Sequence, residues 1–193
     1  MKEIRKSNEL ISNTDRKIEG YAIVFNSQSE DMGFFEEISN DALDGVVERS
    51  DCFALLNHDD SRGILARSKY GEGTLKLTVD DIGLRYEFEA PNTQLGDETL
   101  EMIKRGDIDG SSFAFTVAEG GEKWEKRDGK YYRTINKIEK LYDISPVYQP
   151  AYAATTCVTD TRGLDELKNA ENELKAYFSE LRGRISDNNG EQD

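Results

Sequence analysis

Apolar and polar positions alternate through much of this chain. A strand with one buried face repeats every two residues, so this alternation predicts β-structure. In residues 17–25, Tyr21, Ile23 and Phe25 share one face, and in 73–79 Leu75, Leu77 and Val79 do the same. Residues 82–90 set Ile82, Leu84, Tyr86 and Phe88 against polar or charged partners, and Asp80-Asp81 with Gly83 close behind reads as a tight turn joining the two runs. Further strands are predicted at 52–57, 63–68, 111–118, 122–127, 130–136 and 138–145, with Asp128-Gly129 as the hairpin turn between 122–127 and 130–136.

Two helices interrupt the strands. Ser39 or Asn40 can cap a short helix running through Val47, and Asp97 precedes a second in which Leu100 and Ile103 share a face and Gly106 ends it. The pattern predicts an α+β, mainly β fold: a closed or nearly closed β-barrel with peripheral helices, since closure removes exposed edges. From Gly163 the chain reads as one long helix, with Leu164, Leu167, Leu174, Phe178, Leu181 and Ile185 at spacings of three, four or seven. That stripe needs a partner, either its own barrel or a coiled-coil docking segment. The expected organisation is an N-terminal segment at 1–16, a barrel domain at 17–160, and a C-terminal helix with a disordered tail at 161–193.

Composition narrows the function. The net charge of −14 repels phosphate backbones, and the 25 basic residues are scattered, which argues against nucleic-acid binding. No run approaches the roughly 18 apolar residues of a membrane span, and MKEIRKSNEL lacks a signal peptide's apolar stretch, so a cytoplasmic protein with no membrane partner is expected. The two cysteines, Cys52 and Cys157, have no ligand cluster around them and read as buried thiols.

His58 is the chain's one histidine, placed in Leu-Leu-Asn-His-Asp-Asp where an apolar strand gives way to a loop. A lone histidine is more often structural, but a strand end holds an imidazole rigidly while leaving one side open to substrate. Ser111 and Ser112 begin a run in which Phe113, Phe115 and Val117 alternate inward, displaying Ser112 on the other face. Gly110-Ser111-Ser112-Phe113-Ala114 only superficially matches the GxSxG elbow, which requires a helix after the serine where this chain predicts a strand. Asp107 and Asp109 lack the remaining ligands of a calcium loop, with Ala118 at the twelfth position, so neither a metal site nor a cofactor is assigned. A Cys52–His58 pair has suitable even spacing, but apolar neighbours argue for a buried thiol.

These pieces, taken in order, resemble the prohead protease family of tailed phages, which is similar in fold to the herpesvirus assemblins. The resemblance rests on Gly20-Tyr21-Ala22, Gly33-Phe34-Phe35-Glu36-Glu37-Ile38, Asn57-His58-Asp59, Arg105-Gly106-Asp107-Ile108, Ser112-Phe113-Ala114-Phe115 and Leu141-Tyr142-Asp143-Ile144-Ser145-Pro146-Val147, and covers most of 17–155. It implies a catalytic histidine and serine at His58 and Ser112. Ala114 stands where the family usually has glycine. The family's third, acidic member maps onto Asp143, shorter than the usual glutamate, with Glu139 in reserve.

The resemblance implies a serine endopeptidase that cleaves scaffold protein, or the scaffold domain of the major capsid protein, inside an assembling prohead in the host cytoplasm. It also implies a possible homodimer, and self-processing would be sought at Ala153-Ala154-Thr155 or the termini. Two other readings stay open at this point: a catalytically inactive capsid or scaffold component with the same barrel, and an acidic β-barrel binding module.

Overall fold

The structure is a computed structural model that describes residues 3–7, 9–12, 16–148 and 165–176. Its strands are β1 (Glu3–Ser7), β2 (Glu9–Ser12), β3 (Lys17–Val24), β4 (Phe35–Ile38), β5 (Asp51–Ala54), β6 (Ala66–Lys69), β7 (Glu72–Gly73), β8 (Lys76–Val79), β9 (Gly83–Glu89), β10 (Gly110–Val117), β11 (Glu122–Arg127), β12 (Lys130–Ile135) and β13 (Ile138–Val147). The helices are α1 (Val46–Arg49), α2 (Gln94–Arg105) and α3 over residues 165–176. Cys157, the segment 153–155 and the remainder of the helix expected over 163–185 lie outside the described residues.

The expected barrel is not closed. The strands form three open sheets, ordered β1-β10-β13-β5-β6-β7, β2-β3-β9-β8 and β11-β12-β4. The reason lies at the N-terminal strands: β1 pairs with β10, then β2 pairs with β3, so two sheets are joined by the chain itself and not by a continuous hydrogen-bond ladder. The sheets nevertheless share one core, in which Ile18, Leu84 and Phe88 meet Phe113, Phe115, Ile144, Ile38 and Ile135. Exposed edges are blunted in the usual way, since β7 has two residues and β8 begins with a lysine.

Local chemistry explains the turns. Asp80 Oδ1 accepts hydrogen bonds from the N–H groups of Ile82 and Gly83, closing the β8–β9 hairpin, while its Oδ2 accepts from the Tyr21 hydroxyl at 2.7 Å. These donors hold its carboxyl below the usual range, with the Tyr21 hydroxyl contributing most. At the β11–β12 hairpin, Asp128 and Gly129 both have positive φ, 49° and 78°, the geometry of the mirror-image turns that match strand twist.

The first helical segment differs from its expectation. It splits into a 3₁₀ turn at Asn40–Leu43 and α1, because Gly45 takes a left-handed φ of 61° between them. Ser39 makes no side-chain cap, and Asn40 instead accepts from Asn26 Nδ2 at 2.7 Å. α2 starts before Asp97, capped by Thr93, whose hydroxyl accepts from the Gly96 N–H; Gly106 ends it in the left-handed conformation. α3 touches the β11–β12 hairpin through a Lys126–Glu171 ion pair at 2.5 Å and through Lys168 over the Tyr131 ring. Leu167 is half-buried there, whereas Leu174 is 57% exposed.

Candidate active site

β10 and β13 lie side by side at the centre of the six-stranded sheet, antiparallel, with Ser112 opposite Ser145 and Ala114 opposite Asp143. Cross-strand partners share a face, so Ser112 and Asp143 are diagonal neighbours, about 7–8 Å apart by the usual spacing. An imidazole can bridge such a gap. The register of β13 against β10 is regular from Val147 to Asp143, and this puts the carboxylate on that face. The register shifts between Ala114 and Phe115 and again between Thr116 and Val117, which leaves Tyr142 and Glu139 as extra residues without a partner position on β10. Strict alternation would place Leu141 and Asp143 on the same face. The two bulges let Leu141 and Ile138 join Ile144 in the core, opposite Phe115, Val117 and Phe113, while Asp143 stays on the Ser112 face.

His58 arrives from the other flank of β13. β5 runs parallel to β13, and the alignment continues past its end through hydrogen bonds from Leu55 N–H to Ile144 O and from Asn57 N–H to Pro146 O. The chain then reverses in a turn closed by Asp59 N–H to Leu56 O, whose two central residues, Asn57 and His58, have φ of 54° and 61°. Asparagine is among the residues that best tolerate this left-handed region, which gives the Asn-His pair a conformational reason. A histidine there is strained, and such strain persists where surrounding structure over-determines it. Asp59 anchors the C-terminal side of this turn, accepting from Ser61 N–H and Oγ–H to cap a 3₁₀ turn at Asp60–Arg62; those donors, the Ser61 hydroxyl first, keep its carboxyl low.

The imidazole therefore sits across the two strands. Its Nε2 lies 2.7 Å from Ser112 Oγ, and its Nδ1 donates to Asp143 Oδ1. A carboxylate only accepts, so the neutral ring carries its proton on Nδ1 and offers the Nε2 lone pair to the Ser112 hydroxyl. Asp143 is 1% exposed and the His58 side chain 19%, so the carboxylate is dry while the ring edge meets solvent. Asp143 Oδ1 also accepts the hydroxyl proton of fully buried Ser145, at 2.8 Å. Sequence reasoning gave Ser145 no role, although its place two residues after Asp143 on one strand was the available signal.

Ser112 is not displayed as alternation suggested. β10 is covered on both faces, and Ser112 is only 4% exposed, reached from the His58 side. Ser111 points the other way, into the core, where its hydroxyl meets that of Tyr86 at 2.6 Å; burial pushes the Tyr86 phenol well above its ordinary pKa. Glu139 is exposed at its bulge, and Cys52 lies fully buried in the core, so neither joins the cluster. No helix among the described residues is long and apolar enough to cross a membrane.

Comparison with known proteins bears on the fold and on the family. The solved structure of the bacteriophage T4 capsid assembly protease, gp21, superimposes with a TM-score of 0.50 over 77% of this chain and 98% of that one, at 13% identity, a likeness of fold. No curated protein matches the chain. The family model described as caudovirus prohead serine protease matches residues 2–170, and the chain belongs to that family.

Proposed function

We propose that this protein is a serine endopeptidase of capsid maturation that uses Ser112 as nucleophile, His58 as general base and Asp143 as the carboxylate that orients the imidazole. The single observation that carries the reading is the unbroken hydrogen-bonded chain from Ser112 Oγ through both ring nitrogens of His58 to a buried carboxylate. A serine hydroxyl is a poor nucleophile at neutral pH, and a base within hydrogen-bond reach is what activates it.

In the proposed reaction Ser112 Oγ attacks the scissile carbonyl carbon as its proton passes to His58 Nε2. Asp143 stabilises the imidazolium that forms and does not itself take the proton. The imidazolium then protonates the leaving amine, the C–N bond breaks, and an acyl ester remains on Ser112. Water, deprotonated by the same nitrogen, attacks that ester; the acyl–Oγ bond breaks, His58 returns the proton to Ser112 Oγ, and the second product leaves as a carboxylic acid. A dry carboxylate behind the ring strengthens this charge stabilisation, because the field is poorly screened there.

The substrate we propose is scaffold protein, or the scaffold domain of the major capsid protein, within the prohead; membership of the family supports this class of target. Intact-mass analysis of wild type and Ser112→Ala, each incubated alone and with the matching capsid or scaffold protein, tests the reading. Fragments that appear only with wild type support it and reveal whether the chain also cuts itself. Identical masses in both would favour an inactive structural component.

A further inference from the structure

The geometry points to Ser145 as a positioning residue, a fourth member that aims and holds the Asp143 carboxylate; this rests on the triad reading of Ser112, His58 and Asp143. Ser145 is directly across from Ser112 in the β10–β13 register, on the face that carries Asp143, and is fully buried. Its hydroxyl proton is directed to Asp143 Oδ1, the same oxygen that accepts from His58 Nδ1.

That shared oxygen has two consequences. An aspartate side chain can turn about its Cα–Cβ and Cβ–Cγ bonds, and each hydrogen bond that its carboxylate accepts opposes those rotations. A second donor on a rigid strand, arriving from a fixed direction, selects the orientation that keeps Oδ1 on the imidazole. The hydroxyl of Ser145 also supplies a hydrogen bond to the carboxylate where it is shut off from water. The hydrogen bond of Ser145 ends on the carboxylate, so its effect on the reaction passes through Asp143.

A purely structural serine would alter stability and leave the reaction alone. For Ser145→Ala a positioning role predicts a kcat roughly 10- to 100-fold lower with KM little changed, the size expected for losing a hydrogen bond to a charged group. The same substitution made in an Asp143→Asn background should cost little more, because the path it acts through is already cut.

The experiment combines that double-mutant cycle on capsid-derived peptide with proton NMR of the folded full chain. The chain has one histidine, so the downfield Nδ1–H signal belongs to His58 alone. Ser145→Ala should broaden that signal and hasten its exchange, and Ser145→Thr, which keeps the hydroxyl, should preserve it. An unchanged signal together with unchanged kcat overturns the proposal, as does a loss that is fully additive with Asp143→Asn. The NMR arm reads the Asp143–His58 contact whether or not any peptide is cleaved. Its failure is therefore separable from failure of the protease reading, which Ser112→Ala decides.

Discussion

Replacing Asp143 by asparagine removes a charge while keeping the size of the side chain. In the proposed reaction the carboxylate faces an imidazole that becomes positively charged as Ser112 attacks. With charge centres about 4 Å apart and an effective dielectric constant of about 20, that attraction is worth about 4 kcal/mol, or about a thousandfold in rate. Asparagine adds a second loss. If its NH₂ faces His58, the ring must accept at Nδ1 and carry its proton on Nε2, where it donates to Ser112 and cannot act as base. We expect kcat to fall by about 10³ to 10⁴, with KM little affected because Asp143 is buried away from solvent. Steady-state hydrolysis of a capsid-derived peptide measures this, with a thermal melt to show that the variant is folded. Glu139→Gln serves as the control and should leave kcat unchanged, since Glu139 is exposed on its bulge. Activity of Asp143→Asn within about tenfold of wild type would refute the charge-stabilisation argument.

Asp80→Ala should lower stability by about 1–3 kcal/mol in urea unfolding at neutral pH, since three donors lose their acceptor. The Asp80 carboxyl is held below its ordinary value by the Tyr21 hydroxyl first of all, so its contribution is full above the carboxylate range and is lost as pH falls through the depressed value; the gap between wild type and variant should shrink in acid. Arg133, fully buried, pairs with Glu36 at 2.9 Å and with Glu122, so Arg133→Met should strand the buried Glu36 carboxylate and cost about 3–5 kcal/mol by chemical denaturation. A loss below about 1 kcal/mol would show that Glu36 finds another partner or a proton.

Much of this molecule is legible in its sequence, because period-two alternation and turn chemistry are local. The runs around Tyr21, Leu84 and Phe113 became strands, and Asp80-Asp81-Ile82-Gly83 and Asp128-Gly129 became turns, since each signal is written within a few residues. The helix ending at Gly106 follows from the same kind of local rule. Ser112 and His58 stood out as candidates by residue type and setting, and the motif around Asp143 supplied a third. What the sequence could not decide was long-range. Whether sheets close depends on pairing between distant strands, and the turn from β1 on β10 to β2 on β3 leaves three open sheets. That Asp143 and Leu141 sit on opposite faces depends on a bulge at Tyr142, which is visible only once β13 is paired with β10. Strict alternation from Leu141 would put that carboxylate in the core, whereas alternation from Ile144 puts it on the Ser112 face. Ser145 offered only its place two residues after Asp143 as a signal, until the register set it across from Ser112 with its hydroxyl on Asp143. Local patterns thus determined which residues could do chemistry, while the tertiary register decided which of them meet, because hydrogen-bond directions and strand faces are fixed only when separated segments pair.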